Sequence, residues 1–215
     1  MTPAPLKFFN PLAEITITGQ NLPHWEQAGA AYFLTFRLAD ALPGSLLRTW
    51  KDERAQWMLL HPEPWDEATR VEYHRTFPAR IDRWLDEGHG SCLLRDTPCR
   101  NAIENVLQHD DGQSCFHHAW VTMPNHVHVL FSLKAPTNLP TLVAAWKSIS
   151  ARRLAKFRQK RGAVWQRDYF DRLIRDATHF ANCVRYIRRN PHKAGLRADE
   201  YSLWESELAR SIGEY

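Results

Sequence analysis

Two strand-like segments joined by a tight turn constrain the fold of this chain more than any other feature. Cys115 to Thr122 and His126 to Leu133 are separated only by Met123-Pro124-Asn125. This pattern predicts a β-hairpin. A further segment, Tyr32 to Leu38, is aromatic and β-branched and predicts a buried strand that ends before Pro43. The core is therefore expected to contain a sheet in which neighbouring strands are antiparallel.

Helical patterns precede, separate and follow these strands. They run over residues 46–60, 66–85 (with a break at Pro78), 97–109, 139–160 and 178–190, the last of which Pro191 should end. Val164 to Ile174 is expected to be a fourth strand. Without the first two helices, the order β-α-β-β-α-β-α is close to the split βαβ, ferredoxin-like arrangement. The predicted class is α+β: an antiparallel sheet with helices on one face, plus a helical insertion at about 46–87 after the first strand.

The length of 215 residues suits one main domain. Four prolines in the first 23 residues predict an irregular lead-in over 1–28. A single domain is expected over 29–196, and a C-terminal tail over 197–215.

Composition excludes several classes of protein. Apolar residues make up 44% and charged residues 24%, which is ordinary for a globular chain and excludes wholesale disorder. No apolar run approaches the roughly 18 residues of a membrane helix. Residues 1–20 lack the pattern of an export signal. The four cysteines have no CxxC spacing, which predicts reduced thiols in the cytoplasm.

Charge is distributed unevenly along the chain. From Lys147 to Lys193 there are 14 Lys and Arg against three acidic residues, whereas the remainder holds 14 basic and 21 acidic residues. Such asymmetry favours a region that meets a polyanion. Charge alone fits a solvated basic helix face equally well.

The sharpest local feature is the sequence His126-Val127-His128 at the start of a predicted strand. Side chains two apart on a strand share a face, so both imidazoles project together while Val127 and Val129 point into the core. Two imidazoles on a rigid strand form half of a metal site. An isolated pair of this kind is, however, more often a structural or surface feature.

The last predicted helix carries two residues that could complete such a site. Tyr186 and Asn190 are four apart and lie on one side of the helix, beside the apolar stripe of Phe180, Val184 and Ile187. A phenol and an amide oxygen could supply a nucleophile and a third metal ligand. Spacing alone favours a tyrosine at the edge of the core and an asparagine near the helix C-terminus.

Three stretches, residues 118–130, 164–172 and 186–196, together resemble the single-tyrosine HUH transposases, an insertion-sequence-200-like superfamily. The most similar branch is the REP-associated tyrosine transposases, which are associated with repetitive extragenic palindromes. The motifs occur in the family's order, and the resemblance extends over about 32–196. It implies that His126 and His128 are the metal-binding pair and Tyr186 the nucleophile. Asn190 stands where insertion-sequence relatives mostly carry a longer Gln ligand.

The resemblance implies a sequence- and structure-specific endonuclease and strand transferase for single-stranded DNA at palindromic repeat hairpins. Tyr186 would attack a phosphodiester and retain a 5′-phosphotyrosine, which a second 3′-hydroxyl could reverse. The family implies Mg²⁺ or Mn²⁺ as cofactor. DNA is the expected partner, with no membrane, and the protein is expected in the cytoplasm at the nucleoid. A monomer and a homodimer both remain open.

The basic segment supplies the candidate DNA contacts. They are Lys147, Arg152, Arg153, Lys156, Arg158, Lys160, Arg161 and Arg167, which would bind phosphates, and Trp165, which would stack on a base. Phe170 is a second candidate for stacking.

Three alternatives compete with this interpretation. Tyr169 is a rival nucleophile, ranked second because the family's tyrosine lies on the helix after this strand. A domesticated relative could bind palindromic repeats without cutting them. A zinc hydrolase unrelated to DNA would leave the basic helix unexplained.

Overall fold

The computed structural model describes residues 6–18, 24–158 and 162–214, and it contains a five-stranded antiparallel sheet. The strands are β3 (Ala31–Arg37), β4 (Cys115–Thr122), β5 (His126–Leu133), β6 (Phe170–Leu173) and β7 (Ser202–Glu205), in the spatial order β6-β3-β5-β4-β7. The first four have the strand order of the split βαβ arrangement. Two short strands, β1 (Thr16–Thr18) and β2 (His24–Glu26), form a separate pair. The predicted hairpin is confirmed, since β4 and β5 pair directly.

Seven α-helices accompany the sheet in the described part of the chain. They are α1 (Gly44–Leu60), α2 (Glu67–Thr76), α3 (Pro78–Asp86), α4 (Thr97–Asp110), α5 (Leu139–Leu154), α6 (Ala177–Lys193) and α7 (Glu207–Arg210). Short 3₁₀ turns occupy Leu93–Arg95 and Ala155–Phe157. The mixed α+β class predicted from the sequence is confirmed.

The helices cover both faces of the sheet, which corrects the expectation of helices on one face. Helices α4 and α5 pack on the face that carries Val127, Val129 and Phe131. Helix α6 packs on the opposite face, against Phe33 and Leu130. Each face therefore has its own core, because successive side chains of a strand point in opposite directions.

Two predicted helix ends were wrong. Helix α5 ends at Leu154, followed by a 3₁₀ turn, rather than continuing to Lys160. Helix α6 continues through Pro191 to Lys193. Proline already has a helical φ, so near the end of a helix it removes only one hydrogen bond.

The fourth strand is shorter than the predicted 164–174. Only Phe170–Leu173 pairs continuously with β3, while Trp165 forms an isolated bridge to Leu38. The chain bulges out between these two points of pairing.

The helical insertion is confirmed, with α2 and α3 divided at Pro78 as predicted. Helix α1 has no fully buried residue, although an aromatic cluster joins it to its neighbours. The cluster contains Trp50, Trp57, Trp65, Tyr73 and Phe77. Helix α3 lies closer to the sheet and buries Leu85.

Both ends of the described chain carry structure that the sequence pattern did not indicate. The predicted lead-in contains both short strands, β1 and β2. The predicted tail contains β7, which pairs with β4, and α7. Arg100 is 3% exposed and attaches this tail to α4, where its guanidinium donates to Ser202 Oγ and to the Asp199 carbonyl.

Two buried histidines of β4 predict a fall in stability at acid pH. His117 bonds the Leu107 carbonyl and His118 bonds Ser132 Oγ. Burial lowers the pKa of each to about 4. Unfolded histidine has a pKa near 6.5, so the unfolded chain binds more protons between pH 6.5 and 4. The free energy of unfolding should therefore fall as pH drops, by about 2 kcal/mol per histidine at pH 5.

Urea unfolding at pH 7.5 and pH 5 measures this fall. His118→Gln removes one titrating group, so the loss between the two pH values should shrink by about 2 kcal/mol. An equal loss in both proteins would contradict the assignment.

Candidate metal and nucleophile site

The predicted histidine pair lies at the start of β5 on the face covered by α6. His126 and His128 are each 1% exposed. Their Nε2 atoms are 3.0 Å apart, and their rings stand at 77° to each other. Val127 lies on the other face with the α4–α5 core, as the alternation of a strand requires.

Each imidazole is held by its Nδ1 atom. His126 Nδ1 lies 2.7 Å from Asn125 Oδ1, and His128 Nδ1 lies 2.7 Å from Thr35 Oγ1. Asn125 donates its Nδ2 hydrogens to the carbonyls of Leu85 and His89, so its oxygen accepts from His126. This bonding leaves the Nε2 atoms to face one another, and it is the usual support for metal-ligating histidines.

Helix α6 completes the site from above the sheet. The Tyr186 ring lies 5.2 Å from the His128 ring and 5.6 Å from Phe33. Asn190 Nδ2 lies 3.5 Å from His128 Nε2. The sequence-predicted tyrosine, asparagine and histidines are therefore brought together within one chain.

Burial keeps the ionisable groups of the site neutral. It lowers the pKa of His126 to about 3 and that of His128 well below its usual value. Burial, assisted by Asp82 and Asp86, also raises the pKa of the Tyr186 phenol. Neutral imidazoles are the form that binds metal.

Basic side chains surround the histidine pair. Besides burial, Arg37 and Lys193 lower the pKa of His126, and Arg172 lowers the pKa of His128. The guanidinium of Arg172 lies 5.5 Å above the Phe33 ring. The site thus has a positive environment suited to a phosphodiester.

These residues fit a divalent cation. Two nitrogen ligands at right angles on one ion, with bonds of about 2.1 Å, are about 3.0 Å apart, which matches the Nε2 separation. Asn190 Oδ1 is buried and has no hydrogen-bond partner. A half turn of this amide directs its oxygen to the histidine pair. Groups of three or more His, Cys, Asp or Glu with metal-binding geometry do not occur in the described ranges.

Sequence reasoning missed three residues of the site. Asn125 and Thr35 orient the imidazoles, and Asp82 of α3 is close enough to the Tyr186 hydroxyl to raise its pKa. Asn125 adjoins the histidine pair in sequence, which could have indicated its role. Thr35 stands opposite His128 in the strand register, which only the pairing of β3 with β5 reveals.

Trp165 was wrongly predicted to stack on DNA. It is 5% exposed, donates from Nε1 to Ser150 Oγ, and packs edge-on against Phe36. A side chain fixed inside the core cannot receive a base. Phe170 is half-buried beneath the guanidinium of Arg172.

The predicted phosphate contacts occupy different environments. Lys147 is half-buried and donates to the Arg167 carbonyl, so it attaches α5 to the bulge before β6. The exposed members are Arg152, Arg153, Lys156 and Arg167, with Arg158 half-buried. Lys160 and Arg161 lie outside the described residues.

Tyr169 lies on the other side of the sheet from the histidine pair. It packs against the α4–α5 core and stacks on His24 at 4.1 Å. Its buried hydroxyl has no hydrogen-bond partner. The two candidate nucleophiles are therefore separated by the sheet itself.

Comparison with known proteins supports the resemblance found in the motifs. Residues 94–190 match the family model described as "Transposase IS200 like". The predicted family resemblance is confirmed. The matched segment contains the histidine pair, Tyr186 and Asn190.

Two individual proteins are similar to the chain. A Haemophilus influenzae protein named "Putative REP-associated tyrosine transposase" is 33% identical over 98 residues, which cover 39% of this chain and 56% of that protein. The chain thus spans just over half the length of this curated relative. A solved structure titled as a REP-associated tyrosine transposase bound to a REP hairpin is 16% identical, with a TM-score of 0.44, covering 92% of this chain and 98% of that one. Among the described residues, no helix is sufficiently long and apolar to span a membrane.

The geometry predicts divalent-metal binding that depends on β5 and α6 together. Calorimetric titration with Mn²⁺ should show affinity falling about tenfold or more in His128→Ala and in Asn190→Ala. Asn190→Asp should bind more tightly, because it supplies a charged oxygen ligand with a side chain of the same length. His109→Ala, at an exposed position of α4, is the matched control. Equal affinity in all four variants would refute the site.

Proposed function

We propose that this protein is a metal-dependent enzyme that cleaves and rejoins DNA strands, with Tyr186 as the nucleophile that becomes a 5′-phosphotyrosine. The observation that carries the proposal is the position of α6, which places a phenol and an unpartnered amide oxygen beside two Nε2 atoms. The family match over 94–190 supports the same chemistry.

The residues of the site have separate roles in the proposed reaction. Nε2 of His126, Nε2 of His128 and Oδ1 of Asn190 would hold Mg²⁺ or Mn²⁺, which supplies Lewis acidity toward a phosphate oxygen. Tyr186 attacks phosphorus, the 3′-oxygen leaves, and the phosphodiester energy is kept in the phosphotyrosine. A second 3′-hydroxyl then reverses the step and joins a new strand. All four residues belong to one chain, which supports an active site formed within a monomer.

We propose single-stranded DNA with palindromic repeat hairpins as the substrate. The name of the Haemophilus influenzae relative supports this class. The exposed arginines and lysines of the α5 region are suited to its phosphates. Helix α5 lies across the sheet from the site, so DNA that touches both must pass an edge of the sheet. Action on chromosomal DNA would place the protein at the nucleoid.

A hairpin-binding protein that does not cleave is the main alternative. It needs neither the phenol nor the alignment of Asn190 with the histidines. A zinc hydrolase is an alternative with less support, because it gives no role to the exposed basic residues.

Covalent trapping distinguishes these functions. Incubation with Mn²⁺ and labelled single strands carrying the palindromic repeats that flank the gene should yield a denaturation-resistant adduct. Tyr186→Phe should abolish it, since the nucleophilic oxygen is lost. Tyr169→Phe is the matched control and should retain it. An adduct that persists in Tyr186→Phe would move the nucleophile elsewhere, and tight hairpin binding without any adduct would favour the non-cleaving alternative.

Salt dependence tests the basic surface separately from cleavage. Replacement of both Arg152 and Arg153 by Ala should reduce the slope of log affinity against log salt by about 1.4, since each phosphate contact to a single strand contributes roughly 0.7. Replacement of Arg70 and Arg75, which are exposed on α2, removes the same charge elsewhere and should leave the slope unchanged. Equal slopes in both double variants would exclude these arginines from the DNA interface.

A further inference from the structure

The insertion reaches the reacting group through one face of α3. The Asp82 carboxylate faces the Tyr186 hydroxyl closely enough for each group to shift the pKa of the other. Leu85 offers its carbonyl to Asn125 Nδ2 at 3.1 Å, and Asp86 pairs with Lys193 of α6 at 2.8 Å. Positions 82, 85 and 86 lie on one side of a helix. One face of α3 therefore contacts the nucleophile, the support of the histidine pair and the end of α6.

The phenol of Tyr186 needs a proton acceptor. An unperturbed phenol has a pKa near 10, and burial raises that of Tyr186 further, so it is neutral at physiological pH. As a neutral phenol attacks phosphorus, its proton must leave. The imidazole Nε2 atoms are occupied in the proposed metal site, and they cannot take it.

We propose that Asp82 accepts this proton and is therefore a catalytic residue contributed by the insertion. The inference rests on the proposed function. The O–H bond of Tyr186 breaks and its proton passes to the neighbouring Asp82 carboxylate. The phenolic oxygen bonds to phosphorus, the bond from phosphorus to the 3′-oxygen breaks, and that oxygen takes a proton from water. In the rejoining step the attacking 3′-hydroxyl gives its proton to water, its oxygen bonds to phosphorus, and Asp82 returns the proton to the departing tyrosine.

The surroundings of Asp82 suit this role. Burial raises its pKa, and a carboxylate whose pKa lies closer to neutrality is a more effective acceptor. The charged groups facing it are Arg172 of β6, Lys193 of α6, Arg37 of β3 and Asp86 of its own helix. Arg172 and Lys193 oppose the rise in the pKa of Asp82 that burial causes. Asp86, the other nearby acid, is paired with Lys193.

Single-turnover adduct formation at saturating DNA tests the proposal. Asp82→Asn keeps the size of the side chain but removes the proton acceptor, so the rate should fall about a hundredfold or more. Affinities for DNA and for Mn²⁺ should stay within twofold of the unmodified protein. Asp82→Glu, which restores a carboxylate, should recover most of the rate. The acid limb of the pH profile should be present in the unmodified protein and absent from Asp82→Asn.

Asp86→Asn separates proton transfer from helix docking. It removes the ion pair to Lys193 but no contact with the phenol, and its rate should fall less than tenfold. A rate in Asp82→Asn equal to that of the unmodified protein overturns the proposal, as does an equal loss in Asp86→Asn and Asp82→Asn. If Asp82→Asn does not fold, failure of Asp82→Glu to react while folded and DNA-bound overturns it. If the unmodified protein forms no adduct, the proposed function fails and this step fails with it. If the unmodified protein forms the adduct and Asp82→Asn forms it equally fast, only this step fails.

Discussion

The pairing of β5 with both β3 and β4 is the constraint on which the rest of the structure depends. It fixes the register that sets Thr35 opposite His128, and the alternation of β5 directs both histidines to one face. Because Val127 and Val129 are fully buried on the other face, a slip by one residue would exchange core and site side chains. The hydrophobic core thus determines where the imidazoles point.

On the second face of the sheet, side chains of α6 cover the site. Helix α6 buries Val184 and Ile187 against that face. This packing holds Tyr186 and Asn190 next to the histidines, because residues three and four apart lie on neighbouring parts of a helix surface. Had all helices packed on one face, as the element order suggested, the imidazoles of β5 would have faced solvent without partners.

The elements of the site differ in how far the sequence could predict them. The common face of His126 and His128 follows from the two-residue period of a strand, and the strand itself from its composition. The joining of Tyr186 and Asn190 to this pair needed the family resemblance, because spacing within α6 says nothing of the element it packs on. Thr35 and Asp82 are 93 and 104 positions from their partners in the chain, so only tertiary structure shows these contacts. Trp165 was misassigned because an aromatic residue beside basic ones has the same local pattern whether it faces the core or solvent.

The helices of the insertion differ in how closely they contact the site. Its outer helix, α1, has no fully buried residue, whereas α3 contacts three parts of the site. A chain with a short loop in place of residues 44–90 would lose Asp82 and the Leu85 and His89 carbonyls that hold Asn125. It would keep the exposed arginines of α5, but the carboxylate beside its phenol would be gone. Under the proposed function, loss of this one segment would separate the binding of DNA from the transfer of its strands.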